Sequence, residues 1–595
     1  MHLLLKLNAL VNIYLTGLQQ KLSRRQFMML SSVLVGLSSG IVAVLLKLFV
    51  HYIFEFATHN KLSNFRFFYL LLPAIGIFSS LYIIKRFFGN KLQKGLAQIH
   101  YALAKRSSFL PRRNMFDQFL TSSVTVGLGG STGLEAPIVI TGAAFGSNYA
   151  KSYGLNYKER TLLLACGIAA GIAAAFNAPI AGVLFALEVL LVDIGISAFT
   201  LLIISAATGA LVSKIVLNQG ILLNFIITES FNFWNIPFYL LLGILSGLLA
   251  VYHSRVYSRV ERIFSIKIKS GTIRWISASM CLIILISVFP PLFGEGYQSI
   301  KTLTTNNPSD LLHNSILLFF GNNEILLLAF IGLLVFFKSI ATGITIGGGG
   351  NGGNFAPSLF IGAYLGYFMA RIINLFKTED LPQTNFMMVG MAGILSGLYH
   401  APLTAIFLIA EITGGYGLMI PLMLVSSISF VISRYFEPFP MDSKRLAQKG
   451  EAFTSDREQN VLTGIKLSEF IERDFEKLSP DLTLRELVQI VAHSKRNVFP
   501  VVDKNDRFLG IVLLDDIREI MFNIGMYDRS KVLDLMRNPL EIIQINDSMA
   551  NVMNAFDETE AWILPVLNNE LYEGFVTKST LFTGYRKRLK EINLD

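Results

Sequence analysis

The sequence predicts an α-helical polytopic membrane protein of broken and tilted helices with a small α/β tail. Three observations carry that expectation: sparse charge, a duplicated glycine-rich segment, and an abrupt change of composition near residue 437. Of 595 residues, 52% are hydrophobic and only 15% charged, against roughly a quarter charged in an ordinary soluble domain. With a mean hydropathy of +0.53, a chain that is soluble throughout is excluded. Runs such as Phe27 to Phe54, Phe68 to Ile84, Phe238 to Val251, Met280 to Phe293 and Leu326 to Phe337 hold few or no charges, and several approach the roughly 20 residues that span a bilayer. The shorter runs predict tilted or interrupted helices. No short hydrophobic stretch ends in a small-residue cleavage site near the start, so no removable signal peptide is expected.

The net charge of +10 comes partly from Lys21, Arg24 and Arg25 and from Arg255, Arg259, Arg262, Lys267, Lys269 and Arg274. Basic clusters beside spans mark the cytoplasmic face; because these flank apolar segments, nucleic acid is not the expected partner. Cys166 and Cys281 sit in apolar context and read as packing residues, with no disulfide framework.

Apolar character persists to about Tyr435; Glu437, Pro438 and Pro440 then open a polar stretch. The expected division is a membrane domain over 1–437, a linker over 438–464, and two soluble modules over 465–528 and 529–595. In the first, Asn497 to Asp503 and Phe508 to Leu514 read as strands and Asp515 to Phe522 as a helix. The second repeats the order with Ala561 to Leu567, Gly574 to Lys578 and a basic helix through Leu589, matching Pro500 to Pro565 and Gly510 to Gly574.

The membrane part is also duplicated. GLGGSTGLEAPIVITGAAFG, Gly127 to Gly146, aligns with GGGGNGGNFAPSLFIGAYLG, Gly347 to Gly366, at an offset of 220, with identities at Gly127, Gly129, Gly130, Gly133, Ala136, Pro137, Gly142, Ala143 and Gly146. A second pair, Asn177 to Glu188 and His400 to Glu411, aligns at an offset of 223. Duplicated halves of this kind are the plan of many transporters.

Each segment places small residues, then a Pro in the first turn, then an apolar helical run. Pro is tolerated there because its missing N–H would have no intrahelical partner. A helix start leaves free N–H groups and about half a positive charge, so two starts meeting at depth would hold an anion without a full cation. For Gly142, Gly146, Gly362 and Gly366, inside the runs, close helix packing is the reading. It does not explain Gly347 to Asn354, because loop backbone at membrane depth must be buried in protein or line a cavity. Glu135, between Gly133 and Pro137, is an intramembrane carboxylate and so a functional candidate: a tethered anion that contests the site until it is protonated or swings away. Simple capping of the helix start is the bland alternative, but the second repeat has Phe355 at that place, whose backbone N–H would line the same site.

These residues resemble the CLC family of chloride channels and chloride/proton antiporters. The family motif GxEGP appears as Gly133-Leu134-Glu135-Ala136-Pro137, with Ala136 for the second Gly, and GxFxP appears as Gly353-Asn354-Phe355-Ala356-Pro357; Ala178-Pro179-Ile180 and Ala401-Pro402-Leu403 also fit. The resemblance spans roughly residues 20 to 440. It implies an inverted-repeat fold, a homodimer with one pore per subunit, chloride or a similar small anion as the permeant ion, Glu135 as gate, and Gly133, Leu134, Glu135, Asn354 and Phe355 at the anion. It further implies a multi-pass protein of the cell inner or plasma membrane with a cytoplasmic C-terminal pair of CBS modules, and no enzyme.

Three departures from the family pattern bear on mechanism. Its anion-coordinating Ser becomes Lys94, which either attracts anions near the inner mouth or snorkels to the surface without touching one. The pore-lining Tyr before the linker has no counterpart, Met441 or Asp442 standing near its place. The internal proton-accepting Glu of the antiporters is Val189, and a hydrophobic side chain cannot relay a proton. Passive gated conduction is therefore the first reading and chloride/proton exchange the alternative. Glu188, retained in the second repeat as Glu411, reads as structural.

In nucleotide-binding CBS modules a Thr or Ser followed three residues later by Asp contacts ribose and phosphate. Here the places hold Leu513 and Asp516, then Thr577 and Thr580, so Asp516 and Thr577 are weak candidates and a stabilising role is expected over adenine-nucleotide binding. A CBS-regulated cation or metal transporter would need clustered ligands in the glycine loops, where Glu135 stands alone; no metal or other cofactor is expected.

Overall fold

A computed structural model describes residues 17–59, 66–89, 95–105, 108–189, 196–217, 231–304, 308–312, 315–317, 323–376, 380–448, 467–584 and 586. The chain divides into two compact units, residues 1–447 and 448–595.

Among the described residues of the first unit, nine helices are long and apolar enough to cross a membrane. In chain order the helices are α1 (Arg24–His59), α2 (Arg66–Phe87), α3 (Ala97–Lys105), α4 (Asp117–Gly127), α5 (Glu135–Ser152), α6 (Tyr157–Phe176), α7 (Pro179–Glu188), α8 (Ile196–Leu217), α9 (Ile236–Arg262), α10 (Gly271–Val288), α11 (Tyr297–Leu303), α12 (Glu324–Gly348), α13 (Phe355–Leu375), α14 (Gln383–Tyr399), α15 (Pro402–Thr413), α16 (Met419–Phe436) and α17 (Lys444–Gln448). The repeat partners α7 and α15 have 10 and 12 residues. At 1.5 Å per residue they cannot cross a hydrocarbon layer about 30 Å thick, so they are the broken helices expected from the short apolar runs.

Both halves use the same contact to close their cores. A Cβ on Gly142 would lie 2.3 Å from Gly167 O and one on Gly146 2.0 Å from Leu163 O. In the second half, Gly362 meets Gly390 O at 2.4 Å and Gly366 meets Phe386 O at 2.0 Å. The α5 and α6 backbones, like those of α13 and α14, therefore touch through glycine, as small residues in lipid permit.

The C-terminal part of α9 and the turn after it carry most of the basic cluster, and the segment after α16 lies beside α9. Arg255 Nε donates to Glu437 Oε1 at 2.6 Å, Lys444 also pairs with Glu437, and Arg445 pairs with Glu261. Helix α10 then carries the chain away from the cluster, an 18-residue rise of about 27 Å. Glu295, which follows α10, thus belongs to the opposite side from the linker.

The second unit contains α18 (Leu484–His493), β1 (Val498–Val502), β2 (Phe508–Leu513), α19 (Leu514–Ile517), α20 (Val532–Leu535), β3 (Ile543–Gln544), α21 (Met549–Thr559), β4 (Ile563–Asn568) and β5 (Leu571–Thr577). β1 pairs antiparallel with β2; β4 pairs parallel with β3 and antiparallel with β5. The repeat seen in sequence is a repeat of register. Gly510 faces Val501 and Gly574 faces Val566, and each pair immediately precedes a one-residue shift. The helix expected over Asp515 to Phe522 is only α19 followed by turns, in which Ile520 N donates to Ile517 O and Asn523 N to Ile520 O, each three residues back. Of the basic helix expected through Leu589, residues 578–584 and 586 are helical and the remainder lies outside the described residues.

The modules interlock rather than abut. Val532 packs with Leu484, Phe499 and Val512 of the first, whereas Leu467 and Ile471 pack with Val552, Phe556 and Val576 of the second. Phe475, Ile511, Tyr572 and Phe575 form a third cluster that joins them.

Candidate functional site

The two glycine-rich loops meet face to face. Gly133 N donates to Gly353 O at 2.9 Å and Gly353 N to Gly133 O at 2.8 Å, the reciprocal exchange that a local two-fold axis between the halves produces. The supports are exchanged in the same way. Thr345 Oγ1 accepts Ser131 N at 3.2 Å, and its repeat partner Thr125 Oγ1 accepts Asn351 N at 3.0 Å. Gly129 and Gly349 turn the chain at φ 86° and 125°, a region that favours glycine.

The second pair of helix starts is closed. Glu411 accepts Ile180 N at 3.1 Å and Ala181 N at 2.8 Å, so it caps α7. Glu188 accepts Leu403 N at 3.0 Å and Thr404 N at 2.7 Å, so it caps α15. Each acid satisfies the start belonging to the other repeat.

At that first pair the candidates divide. Gly133 has spent its N–H on Gly353 O, and Leu134 donates its N–H to Glu295 Oε1 at 3.2 Å. Neither therefore offers the free donor expected of it; they shape the loop instead. The N–H groups of Glu135, Ala136, Asn354, Phe355 and Ala356 have no backbone acceptor among the described residues. These are the open donors at the starts of α5 and α13.

Glu135 is buried among them. Its Oε1 accepts a hydrogen bond from the Tyr297 hydroxyl at 2.8 Å, and its Oε2 is unpartnered. Oε2 lies over Gly133, where a Cβ would meet it at 2.1 Å, and the N–H groups of Glu135 and Ala356 act on the carboxylate. The acid thus occupies the seat that its own helix start and the partner start create. Lys47 of α1 acts electrostatically on Glu135 and on Glu295.

Phe355 fixes the second start through an aromatic box, its ring centroid 5.5 Å from Phe176, 6.1 Å from Phe185 and 5.6 Å from Tyr399. Phe176 and Tyr399 are themselves repeat partners, one residue upstream of the aligned Asn177 and His400. Tyr399 interacts electrostatically with both Glu135 and Asp442. Asp442 lies on the linker side, beside Met441, whose N–H donates to Leu398 O at 3.2 Å. It acts on Tyr257 of α9 as well. Val189 is the buried residue that follows α7. Lys94 lies outside the described residues.

Sequence reasoning missed Lys47, Glu295, Tyr297, Lys338 and Tyr399. For Lys47 the signal was present, a charge inside the run Phe27 to Phe54; extending the second alignment by one residue would have found Tyr399. Lys338 is buried and donates to Gly294 O at 2.9 Å, holding the turn that bears Glu295.

In the tail, Asp516 pairs with Arg537 at 3.3 Å. Thr577 and Thr580 donate to Glu472 Oε1 at 2.7 and 2.6 Å, and Arg496 donates to its Oε2 at 2.7 Å. Burial alone would raise the Glu472 carboxyl; the Thr580, Thr577 and Arg496 hydrogen bonds outweigh it and hold the group below its ordinary range. Both nucleotide candidates are therefore occupied by internal partners.

Residues 75–434 match the family model described as voltage gated chloride channel, and residues 467–523 match that of the CBS domain. An H(+)/Cl(−) exchange transporter ClcA from Vibrio cholerae is 27% identical over 429 residues, covering 70% of this chain and 88% of that protein. The chloride channel protein CLC-f of Arabidopsis thaliana is 29% identical over 475 residues, covering 70% of this chain and 58% of its own. The crystal structure of a slow cyanobacterial Cl−/H+ antiporter shares the fold, with TM-score 0.62, 22% identity, and coverage of 72% of this chain and 98% of that one.

Proposed function

Because this chain belongs to the voltage gated chloride channel family, we propose that it exchanges chloride for protons through the seat at Glu135. The single observation that carries this reading is the placement of one buried carboxylate among the open N–H donors of two opposed helix starts. Ionised Glu135 and a chloride cannot share that seat. Two like charges about 4 Å apart repel by about 4 kcal/mol at an effective dielectric of 20, so protonation of the acid and entry of the anion are linked. The comparisons favour exchange over passive conduction, since ClcA is named an H(+)/Cl(−) exchange transporter and the cyanobacterial structure is titled an antiporter.

Val189 is the observation on the side of passive conduction. Exchange then needs another proton carrier on the linker side, and Asp442 takes that part in this reading. The basic turn after α9 puts the linker side in the cytoplasm by the positive-inside rule, with the CBS pair there as a stabilising element and a homodimer as the assembly. We read the membrane as the cell inner or plasma membrane.

The test is the full chain in liposomes, with chloride efflux and pH recorded together. An outward chloride gradient is expected to draw protons inward against their own gradient. Chloride efflux with no proton movement would establish passive conduction instead.

A further inference from the structure

Tyr297 stands between two compartments. Its hydroxyl reaches Glu135, and its side chain also lines a cavity of about 380 Å³ whose wall includes Lys47, Glu295 and Gln298 but not Glu135. Tyr297 thus both lines the cavity and hydrogen-bonds the gating acid. Glu295 is anchored beside it: it faces the same cavity while its Oε1 takes the N–H of Leu134, the residue before the gating acid. The cavity lies on the side of the molecule away from the linker, where α10 has delivered the chain.

We propose that Glu295 and Tyr297 form the proton-delivery path to Glu135 from the cavity side, a step that rests on the exchange reading above. In the transfer, Tyr297 gives its O–H proton to ionised Glu135 Oε1 and takes one from protonated Glu295, directly or through a water in the cavity. The phenol ends neutral, the negative charge has moved from Glu135 to Glu295, and a proton from cavity water restores Glu295. The two movements occur together, because a free phenolate, from a group whose ordinary pKa is near 10, would be costly in this site.

Among the charged and titratable groups around the pair, two lysines favour a negative charge on the acids. Lys47 acts on both carboxylates, and Lys338 acts on Glu295 from α12. His51 and Tyr69 line the cavity from α1 and α2, Lys301 of α11 lies within the field of Lys47, and Tyr399 reaches Glu135 from α14. His51 is an imidazole in the lining of the same cavity, so His51→Gln is the control that separates its contribution.

The experiment records chloride flux against pH, together with proton flux, for the full chain in liposomes. Glu295→Gln keeps an acceptor for Leu134 N–H while removing the acid, and Tyr297→Phe keeps the ring while removing the hydroxyl. Each is expected to cut proton flux about tenfold or more and to move the pH dependence of chloride flux about one unit toward acid. Glu295→Asp and His51→Gln are expected to retain the parent profile, and chloride flux at the acid limit is expected to persist in all four. Profiles of Glu295→Gln and Tyr297→Phe that superpose on the parent would overturn the path, as would loss of chloride flux at every pH or an Asp variant as impaired as Gln. A parent protein that carries no protons would sink the exchange reading alone, and the shift in the chloride profile would then still decide the path.

Discussion

Glu135→Gln is expected to pass chloride continuously while proton movement falls to background. Glutamine keeps the size of the side chain and still accepts from Tyr297, so the loop geometry and the Gly133–Gly353 exchange stay in place. What disappears is the charge. The open N–H groups of Glu135, Ala136, Asn354, Phe355 and Ala356 then face the anion alone, without a tethered rival whose repulsion is worth about 4 kcal/mol. No carboxylate remains at the seat, so an arriving proton has nowhere to rest and coupling ends. Chloride and proton recordings on liposomes check this; proton flux retained at the parental ratio would remove Glu135 from the exchange.

Gly366→Ala is expected to lower the accumulation of folded protein several-fold. The added Cβ would lie 2.0 Å from Phe386 O and 2.5 Å from Phe386 C, both backbone atoms of a packed helix that cannot swing aside. Overpacking costs about 1–3 kcal/mol and sometimes more, and a clash with main chain falls at the upper end. Since α13 carries Phe355 at its start, a shift of this helix also pulls one of the two donor sets away from the seat. Gly271→Ala is the control, because nothing lies within 4 Å of its Cβ position and Ala suits a helix. A several-fold lower yield of monodisperse protein is expected for Gly366→Ala alone. Equal yields and equal thermal stability would show that α13 and α14 can separate at no cost.

Much of this architecture could be read from the amino acids because it is duplicated. The offset between Gly133 and Gly353 identified the loops that meet, and the retained acids Glu188 and Glu411 identified residues with matching work. Periodicity could not say that each acid caps the start of the other repeat, since that crossing is set by how the halves interlock. The status of Leu134 was hidden for the same reason. Its N–H is closed by Glu295, 161 residues later in the chain, in a turn held by Lys338. Tyr399 was equally silent, for a tyrosine in an apolar run reads as core, and Tyr297, in the polar stretch Gly294 to Ser299, gave no sign of the carboxylate at its hydroxyl. In the tail, alternation located the strands, but the exchange of Leu467 and Val532 between module cores depends on contacts that local pattern does not encode.

The main-chain seat itself can be located by soaking Glu135→Gln with bromide and mapping the anion by its anomalous scattering. The expected peak lies within hydrogen-bond reach of the N–H groups of Asn354, Phe355 or Ala356 and of those at residues 135 and 136. A bromide bound elsewhere in the membrane unit, with those five donors unoccupied at saturating anion, would contradict the claim that the two opposed helix starts hold the transported ion.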